Sequence, residues 1–203
     1  MGRREANKAK KRSALLQAGL SRMLAQGFHA TSVEQIAGDA GVARGTFYLY
    51  FDGKDALFDA VLDAFFVPLM AVFDDVEAAL AEAASPEACL VIYQSMALRL
   101  AAVGLAHRDT VLLLFREMRG QNVPGVRRRE LRLIDRVTAL TQLAMERRLV
   151  RAGDARLASL IILGGIERLY FEVLAGELDL GEPHTLAGEA TTMLSRVLGL
   201  DLG

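Results

Sequence analysis

The chain predicts an all-α fold, an N-terminal three-helix helix-turn-helix domain joined to a larger C-terminal helical domain, and three observations carry that expectation. Apolar residues recur at spacings of three and four along most of the 203 residues, and no run alternates apolar and polar positions as a strand does. The stretch Thr31–Lys54, TSVEQIAGDAGVARGTFYLYFDGK, sets two short helical patterns on either side of Gly41. Charge is also divided. Residues 1–54 carry nine Lys/Arg against four Asp/Glu, whereas residues 55–203 carry fifteen against twenty-one, and all four lysines (Lys8, Lys10, Lys11, Lys54) lie in the front part. The net charge of −1 therefore conceals a basic front end, the distribution expected of an N-terminal domain that meets a polyanion. These observations place a DNA-binding domain at 1–54 and a second domain at 55–203.

Met1 to Lys8 reads as a mobile arm, charged and without periodic apolar positions. It is either a solvated terminus or a basic arm reaching a neighbouring minor groove, as homeodomain arms do. Helix one follows from about Lys10 to Gln26, with Leu16, Leu20, Met23 and Leu24 on one face and Gly27 as its stop. Thr31-x-x-Glu34 has the form of a capping box, so helix two starts near Ser32 and buries Val33, Ile36, Ala37 and Ala40. Gly41 supplies the reversal, since glycine takes positive φ at no steric cost. Beyond it Val42, Phe47 and Phe51 pack inward, while Arg44, Thr46, Tyr48 and Tyr50 surround the remaining surface of a short recognition helix. Arg44 in its first turn, and Lys54 at the start of the next helix, oppose the helix macrodipole at a typical cost of about 0.3 to 1 kcal/mol. A phosphate between them reverses that sign. Gly45 costs a helix roughly 1 kcal/mol relative to alanine and lets the backbone approach a groove closely.

Helix four runs from near Gly53 through Leu57, Val61, Phe65 and Leu69 towards Ala84, with Pro68 expected to kink or interrupt it. Ser85-Pro86-Glu87 caps helix five, which extends to about Val103. Helix six spans Arg108 to Met118, GQNVPG (120–125) is a loop, and a long helix covers Val126 to Arg151. Gly153-Asp154 breaks it, Ala155 to Ala175 forms a helix apolar on more than one face, and the last helix runs from about Thr185 to Leu198.

The run GVARGTFYLYFDGKDALF, with TSVEQIA before it, resembles the DNA-binding motif of the TetR/AcrR family of bacterial transcriptional regulators from about Leu15 to Val61. The resemblance implies that Thr31, Thr46, Tyr48, Tyr50 and Lys54 contact double-stranded DNA, with Arg44 and Gly45 where bases are met. Ala43 departs from the family, which often has serine there; the missing hydroxyl removes a possible cap, about 1 kcal/mol in typical hosts. The resemblance further implies a repressor working as a homodimer on a palindromic operator. Helices 155–175 and 185–198 would then pair with their copies in a second subunit. In the first of them, Gly164-Gly165 is either a close-approach site or a tolerated flexible pair. A pocket in the second domain would take a small apolar or amphipathic effector that weakens DNA binding. Phe66, Met70, Tyr93, Met96, Phe115, Met118 and Tyr170 are the large side chains that could line it, or else ordinary core, with Gln94, Arg99 and Glu167 as polar groups that could orient the ligand.

Catalytic and metal chemistry find little support. Cys89 is the lone cysteine, so no intramolecular disulfide forms. His29, His107 and His184 lie far apart, without the spacing of a metal site. No phosphate loop or nucleophile elbow is present, so neither a cofactor nor an enzyme is expected. The basic start leads into an amphipathic pattern rather than a signal peptide, and no stretch reads as a membrane span of roughly 20 apolar residues, which fits a cytoplasmic protein. The alternatives are an all-α small-molecule-binding protein or enzyme with an idle helix-turn-helix, or an adaptor whose basic face meets an acidic partner.

Overall fold

The first helix begins at Arg3 rather than near Lys10. In the computed structural model, which describes residues 2–120, 123, 125–179 and 183–200, α1 runs Arg3–Gln26. The missing apolar periodicity of its first ten residues means only that they have no face to bury. Alanine, lysine, arginine and glutamate are all good helix formers, and the Glu5 carboxylate accepts from the Gly2 amide at 3.1 Å. Gly27, at φ 88°, ends the helix.

The next elements are α2 (Val33–Asp39), α3 (Arg44–Phe47), α4 (Lys54–Glu82), α5 (Pro86–Ala106), α6 (Arg108–Gly120), α7 (Val126–Glu146), α8 (Ala155–Ala175) and α9 (Pro183–Leu198). Every regular element among the described residues is a helix, so the all-α expectation holds. The predicted 120–125 loop falls partly outside the described residues, at 121, 122 and 124. α4 continues through Pro68 without interruption. α4 and α5 are also long and apolar enough, by length and composition, to cross a membrane, which corrects the expectation that no stretch qualifies; Asp59 and Asp63 are too few to break the apolar stretch. About half of α4's apolar window and a third of α5's is buried within the structure.

The chain divides into two compact units, Met1–Phe66 with His107–Arg127, and Val67–Ala106 with Arg128–Gly203. The first therefore reaches beyond residue 54 and is discontinuous, taking in the start of α4 and the whole of α6. Within it α1 packs on α2 and α6, and α2 on α3. Leu15, Met23, Ile36, Phe47, Leu57, Phe58, Leu62 and Leu113 are fully buried. Phe28 stacks obliquely on Phe58 with ring centroids 4.9 Å apart.

In the second unit α9 packs on α5 and α8. Asp154 caps α8 by accepting from the Leu157 amide at 2.6 Å. Arg136 of α7 bridges Asp74 (2.7 Å) and Glu77 (2.9 Å) on the later part of α4. The two adjacent glycines of α8 are not equivalent. A Cβ on Gly165 would sit 2.7 Å from the Met193 sulfur of α9, while one on Gly164 would meet nothing within 4 Å.

Candidate nucleic-acid interface

The recognition helix is held by one aromatic anchor. Phe47 is fully buried and its ring lies 5.7 Å from that of Phe51, so the four-residue α3 is pinned at its C-terminal end. Gly41 (φ 66°) makes the turn between α2 and α3, helped by the Val42 amide donating to the Ala37 carbonyl at 3.0 Å. Ala43 precedes α3 without a side-chain cap. What this scaffold turns outward is Arg44, Gly45 and Tyr48, with Thr46 and Tyr50 half-buried beside them. Tyr48 is 46% and Leu49 76% exposed, while a Cβ on Gly45 would meet nothing within 4 Å. Arg44 pairs with Glu34 at 2.9 Å, and its guanidinium carbon is 6.0 Å from the Tyr48 ring centroid. Hydrogen bonds from its own backbone and from Ser32, together with the Arg44 charge, hold the Glu34 carboxyl below its usual range.

Thr31 and Lys54 behave differently from these five. Thr31 is 2% exposed, with its hydroxyl donated back to the Gly27 carbonyl at 2.8 Å. The Lys54 ammonium donates to the carbonyls of Phe28 (2.7 Å) and Thr31 (2.8 Å) and lies 4.4 Å from the Phe28 ring centroid. The two residues meet at one place, the turn between α1 and α2. The cap of α2 shifts with them, because Ser32 and Gln35, not Thr31 and Glu34, form the capping box. The Gln35 amide donates to Ser32 Oγ (3.2 Å) and the Ser32 amide to Gln35 Oε1 (2.9 Å). The two boxes overlap by one residue, and burial of Thr31 decides between them.

Three residues of this junction carried no signal in the sequence. Gln26 donates to the Ala30 carbonyl (2.7 Å) and to Gln35 Oε1 (3.1 Å). From α6, the buried Glu117 carboxylate accepts from the Phe28 amide at 3.2 Å, and Arg116 donates to the Leu24 carbonyl at 2.7 Å. The turn that aims α2 and α3 is thus gripped by the first residue of α4 on one side and by α6 on the other. At the far end of α2, Arg22 forms a two-pronged ion pair with Asp39, which holds the Asp39 carboxyl below its usual range.

The residues expected to line an effector pocket divide between the units. Phe66, Phe115 and Met118 belong to the first and Met70, Tyr93, Met96 and Tyr170 to the second. All seven are buried or half-buried. Tyr93 lies beside the Cys89 thiol, and the Tyr170 ring packs where a Cβ on Gly104 would be 3.0 Å away.

A short helix presenting arginine, glycine and tyrosine from a glycine turn, at the end of a three-helix layer, defines a helix-turn-helix protein of the nucleic-acid-binding kind. Residues 15–61 match the family described as bacterial regulatory proteins, tetR family. It is 40% identical over 78 residues to the HTH-type transcriptional regulator RutR of Escherichia coli K12, a match covering 36% of this chain and 37% of RutR; the similarity thus spans little more than a third of the curated relatives' length. Among solved structures it superposes on NalD, described as the secondary repressor of the MexAB-OprM multidrug efflux pump in Pseudomonas aeruginosa. That likeness has a TM-score of 0.73 and 25% identity, over 95% of this chain and 98% of NalD. The fold also matches the Bacillus subtilis transcriptional regulator FadR in complex with stearoyl-CoA, with a TM-score of 0.66, 18% identity and 93% and 98% of the two chains covered.

Proposed function

We propose that the protein is a sequence-specific transcriptional regulator of the cytoplasm, a repressor that holds a palindromic operator as a homodimer and lets it go when a small effector binds. The observation that carries this reading is the outward set Arg44, Gly45, Thr46, Tyr48 and Tyr50 on a backbone fixed by buried Phe47. Arg44 and Thr46 face base edges in the major groove, arginine to guanine being the commonest specific contact. Gly45 allows close approach, and Tyr48 and Tyr50 hold phosphates that set the register. Glu34, now paired with Arg44, gives up that partner when Arg44 meets a base.

Lys54 has three donors. Two are engaged by the Phe28 and Thr31 carbonyls, and the third, 3.5 Å from the His29 carbonyl, is the one that reaches a phosphate. Thr31 contributes by fixing the turn. The homodimer forms through α8 and α9, and is supported by the exposed row Leu157 (58%), Leu160 (45%) and Ile161 (51%) on α8. The effector is apolar or amphipathic and is met in the second unit by Met70, Tyr93, Met96 and Tyr170, which suits the adaptable apolar character of methionine.

The test is a titration of the purified protein against the DNA upstream of its own coding region, with random duplex as competitor and salt varied. Selective binding, weakening linearly in log–log with salt, supports the reading and supplies the palindrome for effector screening. Should affinity for every duplex selected from a random pool stay at the level of random DNA, the reading fails.

A further inference from the structure

The stripe of α1 that packs on the domain does not stop where the domain stops. Leu15, Ala18, Gly19 and Met23 form its buried face. Counted back from Leu15 at 3.6 residues per turn, Arg12, Lys11, Lys8 and Arg4 lie three, four, seven and eleven residues earlier, on the same face. The helix therefore carries one continuous stripe that is apolar from Leu15 onward and cationic before it. Residues 2–13 are all exposed, and at 1.5 Å per residue the segment 3–12 projects for roughly 15 Å.

Four features set this stripe apart from an ordinary solvated face. Residues 3–12 hold six cations, Arg3, Arg4, Lys8, Lys10, Lys11 and Arg12, four of them on the stripe, against one acid, Glu5, whose carboxylate is already bonded to the Gly2 amide. Among the described residues Arg3, Arg4, Lys8, Lys10 and Lys11 form no ion pair. The pairs Arg4/Lys8 and Lys8/Arg12, four apart, and Lys8/Lys11, three apart, repel one another along the helix, a repulsion that a polyanion removes. The direction of the stripe is fixed by Arg12, whose guanidinium carbon lies 5.3 Å from the Phe51 ring centroid. Phe51 closes the run that begins with α3, so this contact ties the start of the stripe to the end of that run.

We propose that the cationic stripe of α1 is a second DNA contact, which grips the phosphates of duplex flanking the bases met by α3 and reads no sequence. The inference rests on the DNA-binding reading above and extends it, in that the footprint of each protomer is longer than the helix-turn-helix alone would make it.

The experiment compares the full chain with Arg4→Gln/Lys8→Gln/Lys11→Gln, glutamine being chosen for its similar helix propensity and Arg12 being kept for its packing. The probe is a palindrome selected by the wild-type chain from a random-sequence duplex pool, made bare and with about ten further base pairs on each side, a helical turn. Affinities are measured across a salt series. The wild-type chain is expected to bind the longer duplex more tightly, and the variant to lose that gain while keeping its sequence preference on the bare palindrome. The salt slope on the long duplex should fall by about 0.9 for each phosphate contact removed, so by up to about three per protomer. Equal slopes and equal affinities for the two proteins on the long duplex would overturn the proposal with the DNA-binding reading intact. Failure of the pool to yield any preferred sequence would overturn both.

Discussion

Arg44 and Glu117 do opposite kinds of work within the same small unit. Arg44 is exposed and its partner Glu34 is equally solvated, so the pair adds little to stability and substitution there tests recognition alone. Arg44→Ala should cost about 1 to 3 kcal/mol at the cognate palindrome and relax the preference at one base pair. Competition binding against single-base variants measures this; equal losses on cognate and random duplex would remove Arg44 from the base contacts. Glu117 is buried and accepts from the Phe28 amide. Glu117→Ala leaves that amide without its acceptor, a loss of about 1 to 3 kcal/mol to be read from urea unfolding of the full chain, and Glu117→Gln should recover much of it because an amide oxygen still accepts. Burial pushes the Cys89 thiol from its ordinary 9.0 up to about 11, with the Tyr93 hydroxyl pulling slightly the other way. The folded chain then keeps a proton that the unfolded chain releases. Stability from this group is intact below pH 9 and is lost as pH climbs towards about 11, so the urea midpoint should hold level up to about pH 9 and fall beyond it. A Cys89→Ala chain should fall less.

At the scale of elements, the sequence spoke clearly where one pattern had no rival. Val42, Phe47 and Phe51 on the inner side of the recognition run, and the turn at Gly41, were legible because apolar spacing and a glycine permit one arrangement. The capping of α2 was not, because Thr31-x-x-Glu34 and Ser32-x-x-Gln35 fit the same rule one residue apart. Only the burial of Thr31, a tertiary fact, separates them. The first ten residues of α1 were illegible for another reason: a helix with no buried face leaves no periodicity to read. Pro68 misled in the opposite sense, since a lost hydrogen bond in a 29-residue helix is outweighed by packing on either side of it. Helix packing supplies its own test at Gly19, where an added Cβ would collide with the Leu57 side chain. Leu57 is fully buried, so its side chain must shift within the core to admit the new methyl. Gly19→Ala should therefore destabilise the chain by about 1 to 3 kcal/mol, the usual cost of overpacking, despite alanine's better helix propensity. Unchanged unfolding would show that the Leu57 side chain rearranges at no cost.

For the whole molecule, the exposed row on α8 is where the proposed dimer is tested. Leu157, Leu160 and Ile161, with Gly164 open beside them, follow helical spacing and lie on one side of α8, whereas Gly165 is occupied within the chain by Met193. The sequence could not choose between a close-approach glycine pair and a tolerated one, because the two glycines serve different ends. Ile161→Glu is expected to convert a dimer into monomers in sedimentation velocity, and to weaken palindrome binding while leaving single half-site affinity in place. A dimer that survives would move the interface elsewhere. The discontinuity of the first unit bears on a different matter, how this protein can be cut and recombined. A fragment ending at Phe66 would lack Arg116 and Glu117, and with them the grip of α6 on Leu24 and Phe28. The DNA-reading head is thus no cassette that can be transplanted at a single splice. A chimera with a relative's second domain needs three junctions, after residues 66, 106 and 127, with residues 107–127 travelling alongside 1–66.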